Sequence, residues 1–227
     1  MFDPSSKARL TTHDLGRFPD DTLFHRIARV VCRAECLPRK ELFEAWEVAR
    51  RVRRRFRGGR IVDACAGHGL LGHVMLLLDD TSPRGLLVDQ TFPPSAAALA
   101  EAMVSEWPRL EGRILRQEGA LETALLTEGD VVVSVHACGA LTDRVIELAV
   151  AAGARLAVLP CCHDLDTAET SGLTGWMTGP LAVDVTRAMR LRERGWNVWT
   201  QTVPQEITPQ NRLLMARRDA SRAGRNS

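Results

Sequence analysis

Apolar positions along this 227-residue chain follow a helical period first and a strand-helix alternation afterwards. Leu23, Ile27, Val30 and Val31 recur at helical spacing, with Asp20 or Asp21 placed to cap the helix. Pro38 opens a second helical stretch, in which Leu42, Trp46, Val48 and Val52 alternate with charges until Gly58-Gly59 stops it. Residues 1–19 show no period and read as irregular. From Arg60 the texture changes to short apolar runs with helical segments between them. The runs Ile61–Ala64, Gly85–Val88, Arg113–Arg116, Val131–Val135, Leu156–Leu159, Val198–Val203 and Leu213–Ala216 predict strands. Residues 69–79, 95–106, 141–152 and 181–194 predict helices. This alternation implies an α/β fold with a mostly parallel sheet. Only Pro204–Gln210 separates the last two runs, too short for a crossover helix, so the final pair is expected to be antiparallel. The division expected is a helical extension over 1–57, an α/β domain over 58–218 and a disordered basic tail over 219–227.

Composition narrows the class. Hydrophobic residues make up 45% and charged residues 26%, enough apolar side chains for a sizeable core. No run approaches a membrane span and Met1–Thr12 has no apolar signal core, so a cytoplasmic protein without membrane association is expected. The six cysteines contain no CxxC, and reduced thiols are the default. The net charge of +2 conceals a basic front: residues 1–60 hold 15 Lys/Arg against 8 Asp/Glu, and residues 61–216 hold 11 against 19. That asymmetry points to a polyanion met from one side.

The most informative stretch is Ile61-Val62-Asp63-Ala64-Cys65-Ala66-Gly67-His68-Gly69-Leu70-Leu71-Gly72. Gly67, Gly69 and Gly72 form a GxGxxG that suits a tight strand-to-helix turn beside a ligand. A dinucleotide site is the first alternative, but Asp63 stands four residues before Gly67, and a carboxylate there is unfavourable beside a pyrophosphate. It suits an ammonium instead. Asp89 and Gln90 end the second strand, where an acid accepts hydrogen bonds from ribose hydroxyls. Gln117-Glu118-Gly119 follows the third strand, at a position facing a base. The pattern D-x-x-x-G-x-G with a strand-terminal acid resembles the class I S-adenosylmethionine (SAM)-dependent methyltransferases over residues 58–218. The resemblance implies a Rossmann-like seven-stranded sheet with an antiparallel last strand. It implies SAM as cofactor, held by Asp63, Ala64, Ala66, Gly67, His68, Gly69, Asp89, Gln90, Glu118, Gly119, Ser134 and His136. Cys65 departs from it, since the family often has glycine there.

In that strand order the first, fourth and fifth strands are neighbours. Their carboxyl ends read Cys65-Ala66-Gly67-His68, Ser134-Val135-His136-Ala137-Cys138-Gly139 and Pro160-Cys161-Cys162-His163-Asp164. Four cysteines and three histidines thus meet one rim. His136 or His163 can serve as a base for hydroxyl methylation. Cys161 can serve as a nucleophile toward a pyrimidine ring; RNA cytosine-5 methyltransferases carry cysteines where this chain has Cys138 and Cys161, but precede the first with aspartate and proline rather than His136-Ala137. Small buried thiols packing under the cofactor are the structural alternative. Adjacent Cys161 and Cys162 are expected to point apart, so no metal site is assigned. His136-x-Cys138-Gly139-x-x-Thr142-Asp143 and Pro160-Cys161-Cys162-His163 also resemble the eukaryotic tRNA 2′-O-methyltransferases of the acceptor stem, as does Ile207–Leu214. That family's N-terminal zinc-finger residues are absent here.

Arg50, Arg51, Arg53, Arg54, Arg55, Arg57 and Arg60 place seven arginines in eleven residues. On a helix they nearly surround the axis with positive charge, and Arg51, Arg54 and Arg55 are the candidate phosphate contacts. Cys138 and Cys162 are candidate acceptor contacts. Trp176, Trp196 and Trp199 are placed in a pocket or the core, and residues 164–180 read as a substrate-facing loop. The expected activity is SAM-dependent methylation of RNA. A small-molecule methyltransferase and a non-catalytic RNA-binding protein of the same fold are the alternatives.

Overall fold

The computed structural model describes residues 3–219. Seven strands form one sheet: β1 (Ile61–Ala64), β2 (Gly85–Asp89), β3 (Ile114–Glu118), β4 (Val131–Ser134), β5 (Arg155–Val158), β6 (Trp196–Thr202) and β7 (Arg212–Arg218). Their order is β3-β2-β1-β4-β5-β7-β6. The first five are parallel, and β7 runs antiparallel between β5 and β6. The expected reversal of the last strand is therefore present.

Period-2 alternation sorts the sheet residues onto two faces. Ile61, Val131, Val133, Ala157 and Met215 face one core. Val62, Ala64, Val132, Leu156, Val158 and Ala216 face the other. Helices α1 (Leu23–Ala34), α2 (Arg39–Arg55), α3 (Leu70–Leu78) and α4 (Ala96–Glu106) cover the first face. Helix α5 (Ala140–Ala152) and Leu191 of α6 (Gly179–Glu193) cover the second. The chain winds from β1 toward β3 on one side of the sheet and from β4 toward β6 on the other. The switch point lies between β1 and β4, where open α/β sheets leave a crevice beyond the strand ends.

Several local expectations need correction. The α1 cap is Thr22, whose hydroxyl accepts the His25 N–H at 3.3 Å, rather than Asp20 or Asp21. Residues 3–19 hold no α-helix or strand, as an irregular segment should, yet they are packed: Leu10 and Phe18 are buried, Arg9 bridges to Pro38, and Thr12–Arg17 form a 3-10 turn. Two isolated apolar residues have no period to read. The helices over 23–55 share one core with α3 and α4. Helix α2 begins beside the carboxyl end of β1, where Leu37, Glu41 and Ala45 line a cavity with Cys65 and Ala66. It ends at Arg55, just before the turn that starts β1 at Ile61. It therefore runs antiparallel to β1, from the carboxyl ends of the strands to their amino ends, about 24 Å. The expected tail lies almost entirely outside the described residues.

Candidate active site

The glycine loop is built from its own polar groups. Asp63 is buried, and its Oδ2 accepts the Gly72 N–H at 2.9 Å. Asp89 Oδ2 accepts the Gly67 N–H at 2.7 Å, and the Val88 carbonyl accepts that of Ala66 at 3.1 Å. Gly69 has φ +78°, and a Cβ there would meet Leu87 Cδ1 at 2.3 Å, so the helix start needs glycine for conformation and for space. Cys65 adopts φ +60°. That left-handed backbone explains why glycine is the commoner occupant.

Two cavities meet at Cys65. The outer one, about 250 Å³, is lined by Val88, Asp89, Gln90, Gly119, Leu121 and Leu141 among others. The inner one, about 20 Å³, is lined by Asp63, Ala66, His68, His136, Glu41 and Leu37 among others. It has room for about one water, hence for one ammonium-sized group. Two carboxyl groups face it. Burial pushes Asp63 up to about 8, and nearby Asp89 adds to the shift. Burial, with Glu44 adding, pushes Glu41 up to about 7. Both shifts favour the neutral acid until a cation enters.

These residues fit SAM. The outer cavity would hold the adenosine, with Asp89 and Gln90 at the ribose. The inner cavity would take the ammonium between Asp63 and Glu41. A Cβ on Gly67 would meet open space, so the loop leaves room for a ligand there. Ser134 is buried with its hydroxyl oxygen unpartnered, at the end of β4. SAM supplies an electrophilic methyl group on sulfonium; the chain's task is to bind it and orient the acceptor. Ala64 lies within β1 with its side chain in the core, and it lines neither cavity. Glu118 points elsewhere: it accepts the Phe92 N–H at 3.2 Å, and Gly119 alone of that tripeptide lines the cavity.

At the rim, His136 is half-buried, and burial, with nearby Lys40 adding, pushes it down to about 4. It is therefore a neutral imidazole over the physiological range. His68 bonds Ser95 Oγ at 2.9 Å. The His163 side chain is only 1% exposed, and its Nε2 donates to Asp184 Oδ1 at 2.8 Å. Arg212 donates to the other oxygen of Asp184 at 2.6 Å. In this arrangement His163 positions the loop after β5 and presents no atom to an acceptor. A catalytic role for it would require this loop to open.

The thiols form a cluster. Cys138 and Cys161 place their Sγ atoms 2.9 Å apart, and Cys161 and Cys162 theirs 3.9 Å apart. Cys161 and Cys162 do not point apart, because the backbone beyond β5 is irregular rather than extended. Burial pushes the Cys138 and Cys161 thiols up.

The arginine run is not a ring of free charge. Arg50 and Arg51 pair with Glu47 on their own helix. Arg55 stacks on Trp199, its guanidinium carbon 4.4 Å from the ring centroid. Arg60 pairs with buried Asp130 at 2.7 Å. Arg54 and Arg57 are exposed, toward the amino ends of the strands, opposite the cleft. Sequence spacing could show only the Glu47 pairs, three and four residues apart, because Asp130 and Trp199 are distant in the chain. Trp196 is buried, whereas Trp176 is 89% exposed on the loop after β5. Arg9 is exposed and lies close enough to His68 to help lower its pKa, after burial.

The residues missed from sequence are Glu41, Leu37 and Ala45 of the inner cavity, Leu121 and Leu141 of the outer one, and the cations Arg9 and Lys40. Glu41 beside the buried Glu44 in α2 was the one available signal: acids near a packed helix face call for a partner.

A family model described as a methyltransferase domain matches residues 41–168, more than half of the chain. No curated protein matches. Among solved structures, the tRNA methyltransferase TrmK of B. subtilis superposes with TM-score 0.51 at 14% identity, over 78% of this chain and 68% of its own. An O-methyltransferase family protein from Burkholderia thailandensis superposes with TM-score 0.53 at 19% identity, over 94% of this chain and 65% of its own. These two likenesses are of fold. With the family match and the cleft beyond β1 and β4, they establish that the chain belongs to the methyltransferase-domain family and is a SAM-dependent methyltransferase.

Proposed function

We propose that this enzyme transfers the SAM methyl group to RNA, at a ribose hydroxyl or a base atom presented between the ends of β4 and β5. The carrying observation is the basic rim of the cleft: Arg9 is exposed and lies near His68, and Lys40, paired with Glu44 at 3.3 Å, lies near His136. Phosphates of a bound strand would lie against these charges. Trp176, 89% exposed on the loop that follows Cys162, offers a face on which a base can stack. The resemblance of the His136–Asp143 and Pro160–His163 segments to acceptor-stem tRNA 2′-O-methyltransferases favours a hydroxyl acceptor, with neutral His136 accepting its proton. Arg54 and Arg57 would extend the track for longer strands. Six free cysteines suit a cytosolic setting.

The test supplies the purified chain with methyl-labelled SAM and either total RNA or a small-molecule extract. Label in nuclease-released nucleosides is the expected result. Label confined to the small-molecule fraction would replace RNA with a metabolite. Binding of S-adenosylhomocysteine (SAH) and RNA with no label in either fraction would indicate a non-catalytic RNA-binding protein.

A further inference from the structure

The ends of β4 and β5 carry a feature that cofactor binding does not use. Ligand atoms of Cys138, Cys161 and Cys162 all lie within 4.8 Å of one another. Thiols this close need a reason, since nothing in packing alone requires three sulfur atoms to share one point.

The scaffold holds the three in place without them. On the β4 side, Thr142 Oγ1 donates to the Ala137 carbonyl at 2.6 Å, and the Leu141 N–H to the Cys138 carbonyl at 3.1 Å. Gly139 follows with φ +55°, turning the chain sharply into α5. On the β5 side, the Leu159 N–H donates to the Ser134 carbonyl at 2.9 Å and ties the two strand ends together. His163, next to Cys162, is anchored on Asp184, which Arg212 also holds. The two loops are thus fixed by bonds in which no sulfur takes part.

We propose that Cys138, Cys161 and Cys162 form a binding site for one thiophilic divalent cation of the zinc type, with three thiolate ligands and a fourth position open to solvent. Zn–S bonds of about 2.3 Å in a tetrahedron put sulfur atoms roughly 3.8 Å apart. The Cys161–Cys162 separation of 3.9 Å meets this directly, and Cys138–Cys161 at 2.9 Å needs only a small opening. The fourth position is open because Cys138 and Cys162 are exposed. Three sulfur ligands select a soft cation over magnesium or calcium, which take oxygen. Loading replaces three S–H protons with the metal, which leave to solvent; no electron is transferred. The site stands on the thiol geometry alone and does not depend on which acceptor is methylated.

The full chain is purified reduced, stripped with a chelator and reloaded with zinc, and its metal content is measured by mass spectrometry. A parallel sample is loaded with cobalt for its thiolate-to-metal charge-transfer band. One metal per chain with a thiolate band is expected, lost in Cys161→Ser and in Cys138→Ser with Cys162→Ser. Circular dichroism and SAH binding on the same samples separate a lost metal from a lost fold or a lost cofactor site. If a variant unfolds, the band in the wild-type chain is read against competition by a chelator of known affinity. Absence of stoichiometric metal in the reduced wild type would overturn the site. So would unchanged loading in the folded serine variants, or a Cys138–Cys161 disulfide that forms while the reduced protein ignores zinc.

Discussion

Asp63 accepts the Gly72 amide through Oδ2 at 2.9 Å, so the carboxyl group that faces the inner cavity also ties the glycine loop to β1. One residue therefore serves two purposes, and substitutions can separate them.

Asp63→Asn keeps an acceptor for Gly72 and removes the negative charge. A charged hydrogen bond contributes about 1.5–3 kcal/mol, so SAH affinity should fall roughly 10- to 100-fold while the melting temperature changes little. Asp63→Ala should lose both affinity and stability. Calorimetric titration and thermal melts decide; unchanged affinity in the asparagine variant would make the carboxylate purely structural.

The buried titratable groups set a pH profile. His73 and His136 are pushed down to about 4 from 6.5, both chiefly by burial, so each adds stability as pH rises from 4 to 6.5. Asp63 and Glu41 are pushed up to about 8 and about 7, so each contributes stability at low pH that is lost as pH rises through those values. The two pairs offset below about pH 6.5, and only the carboxyls remain to ionise above it. The ligand-free melting temperature should fall between pH 6.5 and 8, and Asp63→Asn with Glu41→Gln should flatten that fall. SAH affinity should rise over the same range, with proton release on binding. A melting temperature that climbs toward pH 8 contradicts the assignment.

Gly69→Ala places a Cβ 2.3 Å from Leu87 Cδ1 at a residue with φ +78°. Clash and backbone strain together should cost about 2–4 kcal/mol. Leu87→Ala in the same chain should relieve the clash but not the backbone part. Denaturant melts of the two single variants and the double variant measure this coupling.

Arg9→Glu should weaken binding of short and long RNA alike, because Arg9 stands at the cleft. Arg54→Glu with Arg57→Glu should weaken only strands long enough to follow α2 to the amino ends of the sheet strands, about 24 Å away. Both losses should shrink as salt rises. Equal effects on short strands would mean that the arginine run is itself the primary site.

Much was legible from the chain alone. Strand and helix periods are local, and so are the glycines that end β1, so the seven strands, their alternation with helices and the cavity-lining acids Asp63 and Asp89 were legible in the sequence. The reversed last strand followed from the short Pro204–Gln210 link, since a crossover needs length. Tertiary structure decided what depended on partners far apart in sequence. It set α2 against α3 so that Glu41 faces the inner cavity, while Arg55 and Arg60 meet Trp199 and Asp130. It brought Cys138 to Cys161 across neighbouring strand ends and turned Cys162 toward them, because irregular backbone beyond a strand no longer alternates its side chains. Period fixes which face a residue takes within its element. Only the packing of elements fixes what that face meets.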